Sequence, residues 1–270
     1  MYSLRVCVVT ILMSLALLPS ISSALALLPS ISSALPLPPL RFATLNYPPF
    51  IYEEDHQAKG VIADIVREAF KRLQQPIVIA FYPVPRGMLL VNNGNVDGYF
   101  SLKKTPAREE KLLYTRQPLI RQTFVLFVRH ESTLQYSGIV EDLAPYRIGV
   151  VSQTSYGPLF DNAVREKKLL KLDEARDFIS NFKKLLAGRV DMVINSYDVG
   201  MALVSQLQKQ DNVKVLDPPV ETVESYLAFT RQRNFQQLAD DFDNVLQQMI
   251  ADGTVENIKR RYPAAVSIGY

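Results

Sequence analysis

The sequence predicts an α/β fold made of two successive units of the same kind. Three observations carry that expectation. Strand-like and helix-like segments alternate from residue 41 to residue 129, and the same rhythm restarts at residue 147. The chain has 270 residues, 48% hydrophobic and 21% charged, a globular composition long enough for one large domain or two small ones.

The elements follow in order. Residues 41–45 form a short β-type run ended by Asn46-Tyr47-Pro48-Pro49, whose prolines force an extended loop. Gly60 opens a helix with Val61, Ile62, Ile65, Val66, Ala69, Phe70 and Leu73 on one face, and Pro76 stops it. Residues 77–82 are a β-branched and aromatic strand, 85–91 a helix closed by Asn92-Asn93-Gly94-Asn95, and 96–100 a third strand. Thr105-Pro106 is a helix start, with Thr as N-cap and Pro at the first helical position. Residues 122–129 read as a long buried strand, so the first unit is β-α-β-α-β with a mostly parallel sheet. In the second unit, strands are expected at 147–151, 190–194 and 213–216, with helices at 157–165, 178–186 and 197–208. A further strand at 224–230 precedes an amphipathic helix at 234–250, and Asp252-Gly253 leads into a last helix at 254–262.

The first residues read differently. Arg5 is followed by an apolar run over 6–18, broken by Thr10 and Ser14, and then by the small residues of 21–24. That order describes a secretory signal peptide over residues 1–34. The decapeptide 16–25 recurs identically at 26–35, so Ala24 and Ala34 are alternative cleavage points. An uncleaved amphiphilic anchor is the competing reading, against which Pro19, Pro29, Pro36, Pro38 and Pro39 argue. The single cysteine, Cys7, falls in this leader, so the mature chain is expected to hold by its core alone. With His56 and His130 the only histidines, a Cys/His zinc site and a thiol nucleophile are excluded. No cofactor is expected. The net charge of +3 is spread without a basic stripe, which speaks against nucleic acid as a partner. No G-x-S-x-G, P-loop or G-x-G-x-x-G occurs.

Several short motifs in order resemble a known family. They are Tyr47-Pro48-Pro49-Phe50, Gly60-x3-Asp64-Ile65, Gly94-Asn95-Val96-Asp97-Gly98 and Thr105-Pro106-Ala107-Arg108-Glu109. Arg147-Ile148-Gly149-Val150, Gly188-Arg189-Val190-Asp191, Ala251-Asp252-Gly253-Thr254 and Arg261-Tyr262-Pro263 continue the series. Together they resemble extracellular solute-binding proteins of family 3, the periplasmic receptors of amino-acid ABC importers. The resemblance implies a two-lobed periplasmic-binding-protein fold of type II. Two hinge strands would cross near 124–129 and 223–230. Lobe 1 would span 40–128 plus 226–270, and lobe 2 would span 129–225, with ligand held in the cleft between them.

The resemblance also assigns residues. Arg108 matches the arginine that holds a ligand carboxylate, a task suited to the guanidinium fork. Tyr47 matches the aromatic that packs on the ligand's body. Ser101 and Lys103 fall where the family offers hydroxyls and backbone groups, and the lysine is a departure that favours a second carboxylate. Gln153, Thr154 and Ser155 match the carboxylate-closing loop of lobe 2. The family's amine-binding acid is expected at Ser196, whereas the acid here is Asp198, two positions on. Arg86 occupies a position that lines the cleft in divergent members. Surface pairing, helix capping and dipole stabilisation are the competing roles for Arg108, for Thr154 and Ser155, and for Asp198 respectively.

The function implied is capture of a small carboxylate-bearing molecule, such as an amino acid, by a periplasmic monomer that serves an ABC permease in the inner membrane. The alternatives are an enzyme of the same fold acting as a dehydratase on cyclic carboxylates, with Asp198, Lys103 or Glu53 as acid or base, and a sensory binding protein without transport.

Overall fold

The computed structural model describes residues 37–262. The leader, its duplicated decapeptide, Cys7, the two cleavage points and Pro263 lie outside the described residues. Strand β1 (Leu40–Thr44) buries Phe42, Ala43 and Thr44. A hairpin of β2 (Tyr52–Glu54) and β3 (Gln57–Lys59) follows. Its turn places Asp55 and His56 both at positive φ, the twist-matched turn of tight hairpins. Neither residue announces a turn as strongly as Asn-Gly, so the pattern reading passed over this hairpin.

Helix α1 (Val61–Arg72) presents the expected apolar face, and Phe70 packs 5.0 Å from Phe42 and 5.4 Å from Phe242, ring centre to ring centre. Gly60 precedes it at φ 103°, where an added Cβ would meet the Phe50 carbonyl oxygen at 2.3 Å. Only glycine fits that turn. Strand β4 (Ile77–Phe81), helix α2 (Val84–Asn92) and strand β5 (Gly98–Leu102) complete the first unit. Helix α3 (Pro106–Glu109) is a single turn capped by Thr105, and β6 (Leu112–Tyr114) follows it.

The second unit contains β7 (Ile120–Arg129), β8 (Ile148–Val151), α4 (Pro158–Arg165), β9 (Leu172–Ala175), α5 (Phe178–Leu186), β10 (Met192–Ser196) and α6 (Tyr197–Gln206). Strand β11 (Val213–Thr230), helix α7 (Gln236–Ala251) and helix α8 (Thr254–Arg260) end the described chain.

The strand order is β4-β1-β5-β11-β7-β10-β8-β9, with β6 also on β11. Strands β4, β1 and β5 are parallel, as are β10, β8 and β9. The parallel sheet expected for the first unit therefore holds for its first three strands only. Strand β7 instead runs antiparallel to β10 and β11.

The two strands expected at 213–216 and 224–230 are one 18-residue strand. Its register slips between Leu216 and Glu221, where Pro218 and Pro219 cannot donate to the ladder. Its first part pairs with β7 through Ser225, and from Tyr226 it pairs with β5 and β6. The protein is thus a two-lobed α/β fold, with β7 and β11 as the strands shared between lobes.

Alternation along β7 sorts its side chains. Phe124, Leu126 and Val128 enter one core cluster, and Val125 and Phe127 enter the other, as period-2 geometry requires. The larger cluster runs continuously from Phe42 and Phe50 in the first lobe to Phe178 and Phe182 in the second.

Candidate functional site

The end of β5 builds one wall of the site. Ser101 sits at φ 65°, a conformation costly for a non-glycine residue and typical of functional positions. Past it, Thr105 accepts a hydrogen bond from the Arg108 N–H at 3.3 Å and so fixes the turn that carries Arg108. The Arg108 guanidinium donates to the Lys103 carbonyl at 3.1 Å and, across the cleft, to the Gln153 carbonyl at 2.8 Å. Among the described residues no carboxylate pairs with Arg108 within 4.0 Å, so the surface pairing with Glu109 or Glu110 is absent.

The opposite wall is the loop after β8. Gln153 lies at φ 56°, which turns its carbonyl toward Arg108, while its side chain is exposed. Ser155 donates its hydroxyl to Asp161 at 2.5 Å, and the same carboxylate accepts the Tyr156 N–H at 2.9 Å. Ser155 therefore orders the start of α4. Thr154 does not share that role, since its hydroxyl is buried and without a partner.

Between these walls is a chamber of about 30 Å³ lined by Tyr47, Tyr99, Ser101, Lys103, Arg108, Thr154, Ser155 and Phe178, with Leu45, Val84 and Leu102. Three of its hydroxyls, on Tyr99, Ser101 and Thr154, are buried without a hydrogen-bond partner. Lys103 is 8% exposed, and its ammonium lies 4.5 Å from the centre of the Phe124 ring. Burial, and next the Arg108 charge, lower its pKa to about 7, against the opposing pull of Asp161 and Glu221. The chamber lining thus holds two basic side chains and no acid.

Tyr47 is buried with its ring 5.1 Å from that of Phe178. Its hydroxyl is hydrogen-bonded to Gln122 and Ser196, and burial raises its pKa. Gln122 in turn donates to Ser196 at 3.3 Å and accepts from Ser225 at 3.5 Å. Ser196, the expected amine position, is therefore engaged by an internal polar network.

Asp198 lies half-buried in the first turn of α6, outside the chamber lining, and its charge acts on Tyr47. Arg86 is exposed on α2 and lines none of the cavities described here. The structure thus brings together Tyr47, Ser101, Lys103, Arg108, Thr154 and Ser155, adds Gln153 through its backbone, and leaves Arg86 and Asp198 aside. Tyr99 and Phe178 were missed by the pattern reading. Both look like ordinary core residues, one in a strand and one at a helix start.

A second cavity, of about 640 Å³, adjoins the chamber and shares Leu45, Val84 and Phe178 with it. Among the described residues no group of three or more His, Cys, Asp or Glu could hold a metal ion, and no helix is long and apolar enough to cross a membrane.

Residues 40–265 match the family profile of bacterial extracellular solute-binding proteins, family 3. The chain belongs to that family. As a member, it shares its fold with many solved structures. A histidine kinase sensor domain with similarity to periplasmic binding proteins superposes with a TM-score of 0.76 at 14% identity, covering 86% of this chain and 98% of that one. An arginine-, lysine-, histidine-binding protein, ArtJ from Geobacillus stearothermophilus, gives 0.70 at 18% identity, covering 83% and 95%. A protein from work on glutathione import via GshT and the cystine ABC importer TcyBC of Streptococcus mutans gives 0.73 at 20% identity, covering 87% and 98%. Among curated proteins no sequence matches. The family is one of binding proteins, so this member of it is a binding protein.

Proposed function

We propose that the chain captures a small carboxylate-bearing ligand, an amino acid or a relative, in the periplasm and delivers it to an ABC permease in the inner membrane. One observation carries this reading. Two basic side chains and three unpartnered hydroxyls surround a water-sized space that no acid lines. Buried polar groups are ordinarily satisfied, so a set left open around one space points to an anionic occupant.

In this reading Arg108 grips the carboxylate through parallel hydrogen bonds, one of them released from Gln153 when the lobes part. Thr154, Ser101 and Tyr99 donate hydroxyls, Lys103 adds charge, and Tyr47 covers the ligand's body. Ser155 and Gln153 hold the loop in shape. No acid–base pair lines the chamber, which weighs against the dehydratase alternative.

Isothermal titration calorimetry against amino acids and small carboxylates tests the proposal. Arg108→Ala is expected to cost about 2–5 kcal/mol of affinity for whichever ligand binds. Unchanged affinity in that variant sinks the assignment. The sensor-domain likeness supports a second reading, signalling without transport. Co-purification of a permease with the tagged protein favours transport, and co-purification of a membrane kinase favours signalling.

A further inference from the structure

We infer that the ligand is longer than a free α-amino acid: a short peptide or similar extended amino carboxylate, with its carboxylate in the inner chamber and its body in the outer one. This inference rests on carboxylate anchoring at Arg108 and extends it. The inner chamber, about 30 Å³, has room for little more than one small polar group. The outer cavity, about 640 Å³, has the size of a complete ligand pocket. Leu45, Val84 and Phe178 line both, so the two spaces adjoin.

Charge placement points the same way. A free amino acid carries its ammonium one carbon from its carboxylate. Ser196, the position expected to meet that ammonium, is neutral and bonded to Tyr47 and Gln122. The charged residues of the outer cavity are the acids Glu53 and Asp177 and the bases Arg176 and Lys183. Asp177 is engaged by the Ser180 N–H at 2.6 Å and by Arg176 at 3.0 Å. Among the described residues, Glu53 has the exposed His56 at 4.0 Å as its one ion-pair partner. Glu53 lines the larger cavity and Arg108 the smaller one, so a ligand that meets both spans the two spaces, and each added residue extends a ligand by about 3.5 Å. The apolar surface of Phe81, Tyr82, Val151 and Leu203 would cover the side chains between.

The test is calorimetry on the full-length protein with alanine, phenylalanine, Ala-Phe, N-acetyl-Ala-Phe, Ala-Phe-amide and Ala-Ala-Ala. Ala-Phe is expected to bind at least tenfold tighter than either amino acid. Ser180→Trp, which fills the outer cavity, should weaken Ala-Phe at least tenfold and leave alanine unchanged. Gln206→Trp on the facing helix is the second filling variant, should the first fail to fold. Glu53→Gln should weaken Ala-Phe but not its N-acetylated form. Amino acids binding as tightly as peptides, or no peptide binding while an amino acid does, overturns the inference and leaves the anchor standing. Amide and acid forms binding equally overturns the anchor itself, and binding of nothing in the panel overturns both.

Discussion

Lys103 concentrates the chemistry of the site in one side chain. Its ammonium is buried over the Phe124 ring beside the Arg108 charge, and its pKa falls to about 7 from an ordinary 10.5. Between those values the unfolded chain binds more protons than the folded one, so this lysine makes ligand-free stability rise with pH over that window and penalises folding below it. A bound carboxylate reverses the balance by favouring the ammonium. Ligand affinity is therefore expected to be highest below pH 7 and to fall as pH rises through 7. Titration calorimetry from pH 6 to 9 reads this directly, and the pH dependence should vanish in Lys103→Met. The same substitution removes a buried charge without a carboxylate partner, so it should raise the melting temperature while weakening binding. A variant that is less stable than the parent contradicts that account. At Tyr47, removing the hydroxyl leaves Gln122 and Ser196 without a partner they now share. Tyr47→Phe should cost about 1–3 kcal/mol in chemical denaturation.

Single elements explain how these residues are held. Helix α3 is one turn long, so its stability cannot come from its own ladder. Thr105 supplies what the turn lacks by accepting the Arg108 N–H. Thr105→Ala should cost about 1 kcal/mol of stability and loosen the arginine, and weaker ligand binding with the guanidinium intact would show it. Helix α1 is held otherwise, by an apolar face that seats Phe70 between β1 and α7. Phe70→Ala should destabilise by about 3–5 kcal/mol in a denaturant titration, with affinity unaffected so long as the protein is folded.

Across the molecule, contacts between the two lobes among the described residues include the Arg108 bond to Gln153, the Tyr47 ring against Phe178, and the Tyr47 hydroxyl on Ser196. These contacts close the cleft around the inner chamber. Strands β7 and β11 are the paired ladder shared by both lobes, which makes them the place where opening must bend the chain. Phe178→Ala removes the ring contact with Tyr47. In small-angle scattering the ligand-free variant should show a larger radius of gyration than the parent, and saturating ligand should return it toward the parent value.

The sequence by itself determined the order of the elements, because 3.6- and 2-residue periodicities and proline or glycine breaks are local signals. It also determined the turn that carries Arg108, since Thr105 as N-cap and Pro106 at the first helical position are local signals, whereas the carboxylate role proposed for Arg108 is what the family resemblance implies. Only the tertiary structure decided the rest. The two strands expected at 213–216 and 224–230 are one because pairing with β7 resumes beyond the prolines. Thr154 and Ser155 look alike in sequence, yet Asp161 takes one hydroxyl and leaves the other open. Tyr99 and Phe178 join the site through the meeting of lobes distant in sequence, which no local pattern encodes. The size of the cleft is decided there too, because it is set by which side chains face each other when the two lobes close.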